Sequence, residues 1–519
     1  MTTRSIGHKE ILFSAALLCS TLMVSCSKSI TSSESLPASA PNVADAGAGG
    51  WKMIVLNSPS QIPVAPPAAT NDPGYISELS AIKSAQSSIS TTQQAAITYW
   101  SAGGVLRWNE ILRELVARQD LPPEPNADGT YPSPSAANPF AYPQYPFSNP
   151  PYAARAYSYV SVAQYEALKA AWYYKYQYNR ASPYKNDSGI KILMPATGVP
   201  SYPSEDGVES AVNATLLKLL FPTSAAEIDA DAAAQQQAAL LSGRASASDI
   251  SAGVALGNSI AAIFVARAGT DGMKNAAGNA TIWANLYSTT AATGQVAWVS
   301  LETPPRPPML PLFGQVQGWM MSPSDIVSNR PGPPPSTSSP QMAAELQAVR
   351  DAVNNITPDQ LATVYKWADG VSTTTPPGHW NTIAVPYIVA AQMSEVRTAR
   401  VFALLNMAMQ DAAVSCWDTK YLYFNPRPSQ LDPSIRTWTG LPNFPSYVSG
   451  HSMFSAAASD VLTYLFPSGA AYFSAQAQEA AMSRLYAGIH YPADIKVGLS
   501  QGQKVGDFTV RFARSDGAN

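Results

Sequence analysis

At 519 residues, with 46% hydrophobic side chains, only 13% charged ones and a formal net charge of −3, the chain has the composition of a folded protein with room for two or three domains. Gross disorder is excluded. The charge balance gives no general attraction to nucleic acid or anionic membranes, and no basic cluster with interleaved aromatics appears, so any anion site must be local.

The N-terminus reads as an export signal. Arg4, His8 and Lys9 precede an apolar run from Ile11 to Val24 that is short for a bilayer. It ends in Met23-Val24-Ser25-Cys26, which resembles a bacterial lipobox. Residues 1–26 are therefore expected to be a lipoprotein signal, with Cys26 the acylated first residue of the mature chain; a plain signal peptide or short anchor is the alternative. Ser27 is compatible with outer-membrane sorting, giving an exported lipoprotein that touches the membrane only through its anchor. Of three cysteines, Cys19 lies in the signal and Cys26 is the anchor, which leaves Cys416 without an intramolecular disulfide partner. No other stretch reads as a membrane span.

Residues 27–88 are rich in Ser, Ala, Pro and Asn and read mainly as a linker and N-terminal extension. Helical periodicity begins at Thr92 and runs through Ile97, Trp100, Leu106, Leu112 and Val116. After Pro-rich punctuation at 122–151, helical runs recur near 153–178, 206–220, 224–241 and 248–267. A Pro-rich connection at 301–341 follows, then helical runs near 342–354, 383–418, 451–466, 472–487 and 492–513. Strand-like alternation is scarce, so the fold class is all-α.

A long internal repeat organises these runs. Pro200-Ser201-Tyr202 recurs as Pro445-Ser446-Tyr447 at an offset of 445 − 200 = 245. The same shift pairs Arg155 with Arg400, Trp172 with Trp417, Lys175 with Lys420 and Asp249 with Asp494. Two helical bundles related by duplication are expected, at 89–300 and 342–519.

The second copy concentrates the chemistry. Lys420 is followed by Arg427-Pro428, then by Ser446-Tyr447-Val448-Ser449-Gly450-His451, then by Ser483-Arg484, His490 and Asp494. Two guanidiniums and an ammonium match the oxygens of a tetrahedral or trigonal-bipyramidal oxyanion. Ser449 and the Gly450 amide open a helix whose dipole favours an anion. His451 is placed for proton transfer, and Asp494, one turn after His490, is placed to fix its tautomer. In the first copy Arg427 becomes Ser182, Gly450 becomes Glu205, His451 becomes Asp206, Arg484 becomes Ala239 and His490 becomes Ala245. That copy reads as a packing partner without an active site.

These motifs, in this order and spacing, resemble the superfamily that joins vanadium-dependent haloperoxidases with type 2 phosphatidic-acid phosphatases (PAP2) and bacterial acid phosphatases. The duplicated architecture is more like the haloperoxidases. The resemblance implies that Lys420, Arg427, Ser449, Gly450 and Arg484 hold the equatorial oxygens of vanadate, or of phosphate in a phosphatase. It implies His490 as vanadium ligand or phosphorylated nucleophile, and His451 as the acid–base residue. In chlorinating relatives a Trp and a Phe stand where Trp417 and Phe444 stand here, which favours halide oxidation by hydrogen peroxide with a small organic acceptor. The alternatives are phosphate-ester hydrolysis through a phosphohistidine, or a non-catalytic phosphate-binding or scaffold protein. His379 reads as a loop histidine satisfied by backbone, or as a residue at the pocket rim. Arg400 and Asp411 read as structural groups.

Overall fold

All regular structure among the described residues is helical. The computed structural model describes residues 34–120, 149–302 and 305–518. The export segment with Cys19 and Cys26, and most of the Pro-rich stretch 122–151, lie outside them. The principal helices before the Pro-rich connection are α1 (Pro73–Gln86), α2 (Thr91–Trp100), α3 (Gly104–Gln119), α4 (Pro150–Tyr178), α5 (Glu205–Leu220), α6 (Ala225–Leu241), α7 (Ala247–Thr270) and α8 (Ala280–Ala292). After it come α9 (Pro340–Asn354), α10 (Pro358–Lys366), α11 (Thr375–Ala391), α12 (Glu395–Tyr423), α13 (Gly450–Leu465), α14 (Ala470–Tyr486) and α15 (Pro492–Ala513).

The sequence repeat is a repeat of helices. At the offset of 245, α4 superposes in bounds on α12, α5 on α13, α6 on α14, and the start of α7 on that of α15. The two 29-residue helices α4 and α12 lie against each other at the centre, buried almost along their whole length. Such all-round burial suits helices that carry apolar and aromatic side chains on every face. Ser161 and Asn406 are repeat equivalents, and the Asn406 amide donates to Ser161 Oγ at 2.9 Å. Equivalent residues meet only on a pseudo-twofold axis, so the copies are related by one. They form one unit, Glu34–Asn519.

Within each copy the same device brings two helices close. A Cβ on Gly253 of α7 would stand 2.4 Å from the Ser204 carbonyl, and one on Gly502 of α15 would stand 2.4 Å from the Met453 carbonyl. Only glycine lets the backbones approach this far. Each copy also gathers a neighbouring segment with one buried carboxylate on its central helix. Glu166 accepts from the amides of Ile54, Val55 and Leu56 at 2.9–3.1 Å, and Asp411 from those of Trp319, Met320 and Met321 at 2.7–3.1 Å.

Four sequence expectations are corrected. Residues 34–88 are not a free linker: Trp51, Leu56, Tyr75, Leu79 and Ile82 are buried, and Asp45 is paired with Arg397 at 2.5 Å. The single run 383–418 is two helices, broken where Gln392 turns left-handed (φ 46°) and Ser394 caps α12. His379 lies on α11 rather than in a loop. Pro376 and Pro377, which read as turn signals, occupy the first helical turn, where a missing N–H costs nothing. Finally, α7 is long and apolar enough by composition to cross a membrane. Its packing on α5 and its equivalence to α15 place it in the bundle.

Candidate anion-binding site

The site forms where four helix ends meet, the starts of α13 and α15 and the last turns of α12 and α14. Ser449 caps α13, its Oγ accepting from the Ser452 amide at 3.4 Å, so Gly450 and His451 occupy the positive first turn. Pro492 starts α15, and Gly498 allows that helix to pass the Ser449 backbone at 3.0 Å from where a Cβ would be. The Ser449 amide donates to the Asp494 carbonyl at 3.1 Å. This tie sets His490 and Asp494 beside the α13 N-terminus. Arg484 arrives from the last turn of α14, and Lys420 from the last turn of α12.

Gly450, His451, Arg484 and His490 line a cavity of about 440 Å³ together with Trp417, Phe444 and Phe454. A Cβ on Gly450 would meet Phe454 Cε2 at 3.8 Å and Trp417 Cζ3 at 4.0 Å, ordinary contacts only. Glycine is therefore not demanded by packing here; its effect is to leave the cavity floor open above a helix N-terminus. Trp417 and Phe444 are in ring contact (4.9 Å), and Phe444 lies 5.0 Å from both Lys420 Nζ and the Arg427 guanidinium.

Lys420 and Arg427 sit behind this lining. The Lys420 ammonium donates to the carbonyls of Pro445 (2.8 Å), Ser446 (2.9 Å) and Val448 (2.5 Å). Burial above all, with the Arg427 charge adding to it, lowers Lys420 to about 7. Arg427 donates through Nε to Phe444 O and through Nη1 to Ile489 O and His490 Nε2, at 2.8–3.0 Å; its Nη2 is buried with no partner. Burial lowers Arg427 and Arg484 to about 10, so both stay charged at neutral pH.

The two histidines have distinct states. Arginine can only donate, so His490 Nε2 accepts and its proton is on Nδ1, which donates to Asp494 Oδ2 at 2.8 Å. Burial and then Arg427 push its pKa well below the usual value, leaving a neutral ring with an Nε2 lone pair. Asp494 Oδ2 also takes Ser446 Oγ at 2.5 Å, while burial lifts this carboxyl to about 6. His451 Nε2 donates to the Trp367 carbonyl at 2.9 Å, which leaves Nδ1 as the acceptor. Burial and then Arg484 lower His451 to about 4.

All the residues singled out in the second copy, Lys420, Arg427, Ser449, Gly450, His451, Arg484, His490, Asp494, Trp417 and Phe444, are brought together here. The sequence missed Asp369. Its carboxylate lies 3.0 Å from His379 Nδ1 and 3.6 Å from His451 Nε2. Burial raises its pKa, but bonds from His379 and His451 outweigh this and hold it low. The only trace in the sequence is an Asp-Gly pair: Asp369 is left-handed (φ 44°), a conformation Asp tolerates. His379, stacked on Trp367 at 4.1 Å, reaches the site through Asp369 rather than lining it. Arg306 and Glu302, paired at 2.7 Å between Nη2 and Oε1, also line the cavity and were not foreseen.

The first copy shows what the site accepts. Glu205 stands at the Gly450 position, and its carboxylate pairs with Lys175, the Lys420 equivalent, at 2.6 Å and with Arg244 at 2.7 Å. The remaining cavity there is about 10 Å³. An internal oxyanion thus occupies the degenerate cradle. In the second copy the carboxylate is absent, Arg427 has an unpaired N–H, and the helix N-terminus is open, so the residues fit an oxyanion such as vanadate or phosphate. Among the described residues no group of three or more His, Cys, Asp or Glu is placed to hold a bare metal ion.

Residues 400–515 match the PAP2 superfamily model. No protein of curated function shows significant sequence similarity to the chain. Among solved structures, the chain is similar to a bacterial vanadium-dependent iodoperoxidase, with 22% identity, TM-score 0.58, and coverage of 79% of this chain and 95% of that one. It is also similar to a bacterial vanadium-dependent chloroperoxidase in holo form (14% identity, TM-score 0.50, 70% and 91% coverage) and in apo form (15%, 0.51, 70% and 94%). Residues 400–515 are thus a PAP2 superfamily segment, carried on the all-helical fold that vanadium-dependent haloperoxidases share.

Proposed function

We propose that this chain is a vanadate-dependent haloperoxidase, oxidising halide with hydrogen peroxide to hypohalous acid and water. The observation that carries the reading is the cradle itself. A carboxylate fills it in one copy, and in the other Gly450 opens it beside a neutral His490 whose Nε2 bears a lone pair. His490 would ligate vanadium, and Arg427, Arg484, Ser449 and the Gly450 amide would hold its oxygens, with Lys420 supplying charge from behind. Bound vanadate supplies Lewis acidity to the peroxide. Asp494 keeps the His490 proton on Nδ1. His451, neutral above about pH 4, takes a proton at Nδ1 while Trp367 and Asp369 hold its other nitrogen. Phe444 and Trp417 form an apolar wall next to the cations, suited to a weakly hydrated halide. We place the protein at the membrane through a lipid on Cys26, with the body exported.

The test is halogenation of a chromogenic acceptor by metal- and phosphate-stripped protein while orthovanadate is titrated. Saturable activity, competed by phosphate and lost in His451→Ala, is the expected result. Ester hydrolysis inhibited by vanadate, with no halogenation at any vanadate level, would transfer the assignment to a PAP2-type phosphatase.

A further inference from the structure

The support of His451 runs one residue further than Asp369. A proton arriving at His451 Nδ1 makes a second cation near Arg484, and Asp369 offsets this with Oδ2 at 3.6 Å from His451 Nε2. Asp369 is weakly held by its own segment. It sits at φ 44°, and the one short hydrogen bond to its carboxylate among the described residues comes from His379 Nδ1, at Oδ1 and 3.0 Å. Trp367, whose carbonyl takes the His451 Nε2 proton at 2.9 Å, carries the same histidine stacked on its indole, at 4.1 Å and 16°. Both groups that face His451 Nε2 are therefore braced by His379.

His379 is itself firmly placed, on the second turn of α11. The next residue, Trp380, donates through Nε1 to Ser455 Oγ at 3.0 Å, one turn beyond His451 on α13. Asn381 bonds Asn109 and Asn406 at 2.7–2.8 Å. So α11 is docked on the helix that carries His451, and His379 passes that register on to Asp369.

We propose that His379 is a positioning residue for His451, aiming the Asp369 carboxylate at the ring nitrogen opposite the one that takes the proton. This rests on the proposed reaction, in which His451 is the acid–base residue. His379 does not line the cavity and acts only through Asp369 and Trp367. The other titratable groups nearby are Glu479, already bonded by Lys366 and Trp367 Nε1, on the His379 side, and Arg484 and His490 on the His451 side.

Two variants separate the bond from the packing. His379→Phe keeps a flat ring against Trp367 and loses the donor, whereas His379→Asn keeps a donor near the Nδ1 position and loses the ring. With vanadate, halide and peroxide near neutral pH, kcat is expected to fall about tenfold or more in His379→Phe and to stay within about threefold of wild type in His379→Asn. Orthovanadate affinity, read by calorimetry, should stay within about twofold in both, since neither variant touches the cradle. The chain has four histidines, so ring-nitrogen NMR can follow His451 alone. Asp369 raises the His451 midpoint against burial and Arg484, so this midpoint, about 4 in the wild type, should fall by about one pH unit in His379→Phe and return in His379→Asn. Unchanged turnover and midpoint in His379→Phe, or a loss that His379→Asn reproduces, would overturn the proposal. A wild-type protein that oxidises no halide would sink the haloperoxidase reading instead, and the His451 midpoint would still decide whether His379 acts on it.

Discussion

Replacing Gly450 by Glu would transplant the plug of the first copy into the second. The Cβ at position 450 meets nothing closer than 3.8 Å, so the side chain enters the cavity without displacing backbone. In the first copy the same residue type at the same helix position bonds Lys175 at 2.6 Å. In the second it would enter beside Arg484, with the Arg427 Nη2 that now lacks a partner and Lys420, which burial has lowered to about 7, just behind the lining. Each charge-assisted bond contributes about 1.5–3 kcal/mol, and Glu at a helix N-terminus about 0.3–1 kcal/mol more. Against these stand several kcal/mol of carboxylate desolvation and about 2 kcal/mol of side-chain entropy. The terms nearly cancel, so stability should stay within about 2 kcal/mol of wild type. Anion affinity should fall at least about 100-fold, because a tethered carboxylate already holds the cations. Gly450→Gln fills the same volume without the charge and should be less stable than Gly450→Glu by about 2–3 kcal/mol. Denaturant unfolding and orthovanadate calorimetry read the two quantities separately. A Gly450→Glu protein that binds vanadate like wild type, or that is no more stable than Gly450→Gln, would refute the assignment of the cradle.

Gly502→Ala, by contrast, sets a Cβ 2.4 Å from the Met453 carbonyl and should force α13 and α15 apart, with a loss of stability of about 1–3 kcal/mol measured by urea unfolding. Glu205→Gln should leave Lys175 without a carboxylate partner and Arg244 with only Asp206 at 3.9 Å, and cost about 3–5 kcal/mol, while vanadate binding per folded molecule is unchanged. His451 is lowered to about 4, so the form that accepts a proton is populated throughout pH 5–8 and is lost as pH falls through about 4. The acid limb of kcat/KM should therefore lie near 4; a limb near the ordinary histidine value of 6.5 would show that burial does not control this group.

Much of this site was legible in the sequence because its parts are local. A Ser-Gly-His run at a helix start and a His four residues before an Asp carry their geometry in their spacing. The repeat was legible for the same reason: its 245-residue offset survives in helix bounds, caps and the Gly253/Gly498 crossings. What escaped notice depends on long-range contact. Asp369 meets His451 across 82 residues of chain (451 − 369 = 82), and no local pattern marks a carboxylate as the partner of a distant imidazole. The wrapped segment 34–88 looked like linker because its few anchors, Trp51, Leu56 and Tyr75, are isolated in polar sequence, and its amides are satisfied by Glu166 more than 100 residues away. Prolines at 376 and 377 hid the start of α11, since the same residue punctuates loops and opens helices. The Glu205 plug was visible only as two added carboxylates. That they act as an internal anion needed the positions of Lys175 and Arg244.

The most direct test of the account is calorimetric titration of orthovanadate into stripped wild-type protein and into His490→Ala. One saturable site is expected in the wild type, competed by phosphate, and lost in His490→Ala with folding intact. Equal affinity in the two proteins would contradict it, because the cradle would then hold the anion by charge alone and His490 would not be its ligand.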